Sequence, residues 1–324
     1  MRDTYPQLET LPAEHLVAPG DQPEYVDPPA LHVPDGANVG DALLAAPPDA
    51  LALVGHESGA SYTFGELDET TARLANALRA LGVRPGERLA FRSPNRPEAV
   101  IAAIAAWRAR AIVVPTPPQA RAAELRFLLQ DTGATTVIAS GDDSSFDDVV
   151  DALRDTEVTR CIAFGAEQPG WHQWQALIEG ASAEPAGAPL PASLPALIWH
   201  TGGTTGVPKA CYHTHRRYLL GGLTFAQATG VTAGERWAAA APIGHALGFL
   251  CHTTYTLLHG ATAVMIERFA DPAAVLEAIA AHDIDTFVAI SATWSRLLDT
   301  LDERPELDAI PSLRRGFAMW QSAS

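Results

Sequence analysis

The sequence has 324 residues, 47% of them apolar, with 22 basic against 38 acidic side chains and a formal net charge of −16. That length and apolar content imply a sizeable core in two packed lobes, and they exclude disorder and fibrous repeats. The acidity excludes wrapping of nucleic acid or of an anionic membrane, because the mean field repels phosphate; any phosphate site must be local. The longest apolar run, Ala99 to Trp107, is less than half a bilayer span, so no transmembrane helix is expected. The first residues show no basic segment followed by an apolar one, hence no signal peptide. Cys161, Cys211 and Cys251 lie far apart and read as reduced thiols of a cytoplasmic protein.

The first sixty residues are Pro-rich and are expected to form an arm, with a short helix at Val39 to Ala46. Thr63-Phe64-Gly65-Glu66 is a capping box that opens a helix closed by Gly82. A strand follows at Arg88 to Arg92, a helix at Pro97 to Ala109 and a strand at Ile112 to Val114. Next come a helix at Ala122 to Asp131 and a strand at Thr136 to Ala139. Trp171 and Trp174 suit an amphipathic helix that packs its indoles. The Ala/Pro/Gly-rich stretch Gly180 to Pro195 marks a boundary. The expected organisation is therefore an arm over 1–60, a first α/β lobe over 61–190 and a second over 191–324.

Alternation then resumes. A strand at Leu197 to His200 enters a Gly/Thr loop, and a helix starts near Thr214. Strands are expected at Trp237 to Ala241, Thr262 to Ile266, Asp285 to Ile290 and Arg315 to Trp320. Helices are expected at Ala246 to Leu258, from Asp271-Pro272 onward, and at Ser291 to Leu301. Such alternation implies mainly parallel sheets with both faces covered. Its end in mid-alternation suggests the first portion of something larger.

The chemically informative string is Thr201-Gly202-Gly203-Thr204-Thr205-Gly206-Val207-Pro208-Lys209. Glycines let backbone amides approach an anion closely, threonine hydroxyls add neutral donors, and Lys209 adds one compact positive charge. This is a polyphosphate cradle, but not GxxxxGK[ST]: Val207-Pro208 separates Gly206 from Lys209, and no Ser/Thr follows the lysine. The competing reading is a plain Gly/Thr surface loop. His213 and His215, at i and i+2 on a strand, would share a face, but no carboxylate or thiolate pattern accompanies them. They, His200 and His252 read as structural, and no metal site is expected.

TGGTTGVPKA resembles the phosphate-binding signature of the adenylate-forming (AMP-binding) superfamily, which includes acyl- and aryl-CoA ligases. The resemblance extends through YTFGELDETTARLANALRALGVRPGERLAF, RSPNRPEAVIAAIAAWRARAIVVPTPP and PIGHALGF, covering nearly all of the chain from Ser61. The arm and KACYHTHRRYLL look most like the benzoate/2-aminobenzoate–CoA ligase branch. The resemblance implies a fold of two mainly parallel α/β lobes. It also implies ATP-dependent activation of a small aromatic carboxylic acid to an acyl-adenylate, then transfer to coenzyme A, with ATP, Mg2+ and coenzyme A as cofactors. Carried over by position, Thr201, Gly202, Gly203, Thr204, Thr205, Gly206 and Lys209 would bind the β- and γ-phosphates. Lys209 and His245 would be catalytic, and His245 and Gly248 would line the acyl pocket; for His245 an ordinary helix-start position is the other reading. Ala210 departs from the family's usual glycine and Gly203 from its commoner serine.

The family's adenine loop, ribose-binding aspartate, hinge and catalytic C-terminal lysine are not recognisable, and Gln321-Ser322-Ala323-Ser324 stands where the adenine loop is expected. The expectation is an N-terminal portion that is weakly active or inactive alone and needs a longer or complementing C-terminal half. The alternatives are a catalytically incompetent binding or interaction protein that keeps the fold, and an unrelated nucleotide-phosphate enzyme.

Overall fold

The computed structural model describes residues 31–184, 190–201, 208–304 and 312–319. The chain divides into a segment Met1–His32 and a body Val33–Ser324, and the description below concerns the body. It opens with α1 (Val39–Ala42), β1 (Leu51–Gly55), β2 (Ser61–Thr63) and α2 (Phe64–Ala80). Then come β3 (Arg88–Arg92), α3 (Pro97–Arg108), β4 (Ile112–Pro115), α4 (Ala122–Thr132) and β5 (Ala134–Ser140). Next are α5 (Phe146–Ala152), β6 (Arg160–Phe164), β7 (His172–Gln173), α6 (Trp174–Glu179), β8 (Pro195–Thr201) and β9 (Lys209–Thr214). The remainder is α7 (His215–Thr229), β10 (Arg236–Ala239), α8 (Ala246–Cys251), β11 (Thr262–Met265), α9 (Pro272–Ala281), β12 (Thr286–Ile290), α10 (Ser291–Glu303) and β13 (Arg315–Met319).

One sheet has the order β7-β6-β5-β3-β4-β8-β9 and the other β13-β12-β10-β11-β1-β2. Both are parallel except for the antiparallel pairs β8–β9 and β1–β2. Two mainly parallel sheets are what the alternation requires. Their membership, however, crosses the expected boundaries. Strands β8 and β9, from beyond residue 190, complete the first sheet, and β1 and β2, from the expected arm and its edge, complete the second. Leu51–Gly55 is too short a run for its period to identify it, and its pairing with β11 on one side and β2 on the other makes it a strand.

The centre of the body is α3. Every residue from Ala99 to Trp107 is at most 1% exposed. One apolar cluster joins this helix to Leu53, Ala263 and Met265 of the second sheet and to Leu89, Val113 and Leu197 of the first. The alanines let both sheets approach closely, and the indole of Trp107 donates to Ala196 O at 2.8 Å. Immediately before α3, two residues reach across to the second sheet. Asn95, 1% exposed, donates from Nδ2 to Ala241 O at 2.9 Å and accepts the Ile243 N–H on Oδ1 at 2.7 Å. Arg96 bonds Glu267 at 2.8 Å beyond β11 and Asp142 at 2.9 Å beyond β5.

Other elements differ in extent from expectation. The helix expected over Ala246 to Leu258 stops at Cys251. There the Thr253 hydroxyl donates back to Phe249 O at 2.6 Å and that of Thr256 to Cys251 O at 3.0 Å, an arrangement that competes with continued amide bonding. Trp171 precedes α6 instead of lying in it, and packs on Phe146 with ring centres 4.9 Å apart, while Trp174 packs on Phe164 at 5.8 Å. Among the described residues no helix is long and apolar enough to cross a membrane.

Two buried histidines secure the joints. His215 Nδ1 accepts the otherwise orphaned N–H of Val39 in the first turn of α1 at 3.1 Å, and His252 Nδ1 donates to Gly248 O at 2.6 Å. Burial pushes each imidazole from 6.5 down to about 4. A folded value below the unfolded one means that their stabilisation is complete above 6.5 and is lost as the pH falls to about 4. The urea midpoint should therefore drop across that window, and His215→Gln, with one titration fewer, should drop less steeply. A midpoint that stays level across it would contradict the assignment.

Candidate active site

The phosphate-loop string straddles the β8–β9 hairpin. Strand β8 is buried through Ala196, Leu197 and Ile198, and carries the chain to Thr201 at its exposed end. The register pairs Trp199 with Cys211, His200 with Ala210 and Thr201 with Lys209. Directly paired residues share a face, so the Thr201 hydroxyl and the Lys209 side chain leave the sheet together. Thr201 Oγ1 also donates to Lys209 O at 3.4 Å. Gly202, Gly203, Thr204, Thr205 and Gly206 lie outside the described residues. Lys209 is exposed and has no ion-pair partner among the described residues. It is the sole lysine of the sequence, the other basic residues all being arginine.

Beside the hairpin is a cavity of about 520 Å³ lined by Trp199, Thr201, Cys211 and His213. Pro115 at the end of β4 and Pro117 just beyond it close one side, Glu124 and Leu128 of α4 another, and Gly244, His245 and Ala246 a third. The cavity thus sits outside the carboxyl ends of β4, β8 and β10, where open α/β sheets bind ligands. The hairpin and the expected acyl-pocket histidine meet at one opening.

His245 occupies the N-cap position of α8, as the helix-start reading has it, and its side chain makes no capping bond there. The imidazole is exposed, yet desolvation by the surrounding wall pushes its pKa below 6.5, against an opposing pull from Glu124. It is accordingly neutral near pH 7 and able to accept a proton. Gly248 is not on the cavity wall. A Cβ there would stand 2.2 Å from Pro242 O, so the glycine seats α8 against the preceding turn.

The histidines divide differently from expectation. His213 is the penultimate residue of β9 while His215 starts α7, so the two do not share a strand face. His200 bonds Asp131 at 2.9 Å, and His215 and His252 hold backbone groups. His213 instead lines the cavity, edge-on to Trp199 with centres 5.1 Å apart, and burial with Arg217 nearby pushes its pKa down. Trp199, Cys211 and His213 are among the wall residues that sequence reasoning missed, whereas Gly244 falls in the Pro242–Phe249 segment expected at the acyl pocket. The only signal of the missed three was position, next to the loop.

Gly244 is where the His245 turn touches the first sheet. A Cβ would stand 2.0 Å from Thr116 O and 2.6 Å from its carbonyl carbon, both backbone atoms that cannot swing aside. Gly244→Ala should therefore cost about 1–3 kcal/mol in urea unfolding, the usual range for forced overpacking. Glu124→Gln removes the charge that favours imidazolium, so the His245 ring resonance should titrate at lower pH than in the parent protein. An unchanged or raised value would remove Glu124 from the site.

A family model described as "AMP-binding enzyme" matches residues 41–322. A feruloyl-CoA synthase from an Amycolatopsis species is 34% identical over 223 residues, 68% of this chain and 42% of that protein. A long-chain-fatty-acid–CoA ligase from Archaeoglobus fulgidus superposes with a TM-score of 0.79 at 26% identity, over 86% of this chain and 56% of that one. An anthranilate–CoA ligase solved with anthranoyl-AMP has the same fold, with a TM-score of 0.81 at 21% identity, over 90% and 56% of the two chains. The chain spans about half the length of the curated relatives it matches. On the extent of the family match and the fold together, this chain belongs to the AMP-binding enzyme family.

Proposed function

We propose that this chain supplies the acid-activating site of an ATP-dependent carboxylate–CoA ligase acting on a small aromatic acid. The observation that carries the reading is the single cavity lined by both Thr201 and His245, with Lys209 paired to Thr201 on the same hairpin. In the reaction, a carboxylate oxygen attacks the α-phosphorus of ATP, and the bond from that phosphorus to the bridging oxygen breaks. Pyrophosphate leaves with the electron pair. The Lys209 ammonium and the hydroxyl of Thr201 would meet that growing charge, and Thr204, Thr205 and the loop glycines would add donors. In the second step the thiol of coenzyme A attacks the acyl carbon and AMP leaves; a neutral His245 can take the thiol proton. Mg2+ would enter with ATP, whose phosphates supply part of its coordination.

The aromatic choice rests on the Trp199 and His213 rings on the wall and on a volume suited to a small ligand. The feruloyl and anthranilate enzymes point the same way by name, and the fatty-acid enzyme points to the alternative outcome. The test is acid-dependent ATP–pyrophosphate exchange by the native protein with benzoates, hydroxycinnamates and fatty acids. Lys209→Ala should slow exchange about 100-fold, as loss of one preorganised donor does elsewhere. Its urea midpoint should not move, because the side chain is exposed. An amine-selective reagent should label the single lysine and abolish exchange, and ATP should protect it. Exchange that ignores the acid, or survives the loss of Lys209, would overturn the reading.

A further inference from the structure

After Ala240, whose N–H bonds Val288 O at 2.9 Å, the chain stops bonding to its own sheet. Two of the groups that follow, Ala241 O and Ile243 N–H, go to the carboxamide of Asn95, in the turn that leaves β3 of the first sheet for α3, 146 and 148 residues away. Gly244 then rests on Thr116 O, just past the end of β4 in the first sheet, and the His245 N–H returns to Pro242 O at 3.0 Å. The turn that carries His245 is thus delivered by one sheet and held by the other. That other sheet is also the one that carries Thr201 and Lys209.

We propose that Asn95 is a positioning residue that places His245 in the same frame as the phosphate hairpin, so that acid and nucleotide meet in line. The proposal rests on the function given above. A buried amide costs desolvation, and two backbone bonds repay it only while the turn stays in this place. Both carboxamide atoms are committed, one as donor and one as acceptor. Neither an apolar residue nor a carboxylate can reproduce the pair. The titratable groups that line the cavity with His245 (Glu124 on α4, His213 and Cys211 on β9, His200 on β8) lie on strands of the first sheet or on α4, which connects two of them. A turn released from Asn95 would leave them all at once.

The experiment compares Asn95→Ala and Asn95→Asp with the parent in the native protein. Asn95→Ala should lower kcat for exchange about 100-fold, the scale of a 1 Å misplacement, with KM for ATP little changed because the hairpin is untouched. In the same variant the His245 ring resonance should titrate closer to the ordinary histidine value, since the turn moves away from the wall that desolvates it. In Asn95→Asp one oxygen can still accept from Ile243, but the other opposes Ala241 O until the carboxyl is protonated. Its rate relative to the parent at the same pH should therefore recover as the pH is lowered. A folded Asn95→Ala with parental kcat and parental His245 titration overturns the proposal. If Asn95→Ala does not fold, an Asn95→Asp whose relative rate does not recover in acid overturns it. Absence of acid-dependent exchange in the parent completed by its C-terminal portion would reject the function instead, and the His245 titration of the variants would still decide the placement.

Discussion

A helix with no polar face is stable only where both of its sides are covered. Helix α3 is such a helix, with alanine, valine, isoleucine and Trp107 all out of water. Two sheets cover it, and its small side chains set how near they can come. Most of the remaining architecture follows from that. The crossover from the first sheet to the second, the recruitment of Leu51–Gly55 into the second, and the hydrogen bonds of Asn95 at the start of α3 all serve one buried helix.

The two sheets could have been held by apolar packing alone, which tolerates sliding. The residues just before α3 remove that freedom. Asn95 binds the backbone beyond β10, while Arg96 binds Glu267 beyond β11 and Asp142 beyond β5. These polar contacts sit at the carboxyl ends of the strands, which is also where the cavity opens. Glycines complete the join. At Gly244 the backbones of the two sheets approach so closely that no side chain fits between them.

The electrostatics fit a phosphate site confined to one place. A chain with a net charge of −16 repels anions over most of its surface, and many of its arginines are committed to carboxylates or carbonyls of the fold. Lys209 stands apart as the sole lysine, exposed at the mouth of the hairpin. The histidines are sorted by burial. His215 and His252 are held neutral to satisfy backbone groups, whereas His213 and His245 are left to face the cavity.

Local chemistry by itself determined the elements. The capping box at Thr63 and Glu66, the Asp271-Pro272 start and the apolar runs at Arg88, Ile112 and Thr262 all form where their sequences place them. These signals are short-range, so they survive without knowledge of the fold. The Gly/Thr string expected to bind phosphate was legible for the same reason: its glycines, threonines and lysine all fall within the nine residues 201–209. What only the tertiary structure decided is which strands share a sheet and which side chains share a cavity. Nothing near Asn95 names Ala241 or Ile243 as its partners, and nothing near His213 separates it from His215. Those distinctions come from contacts between residues far apart in sequence, and hydrophobic periodicity carries no information about them.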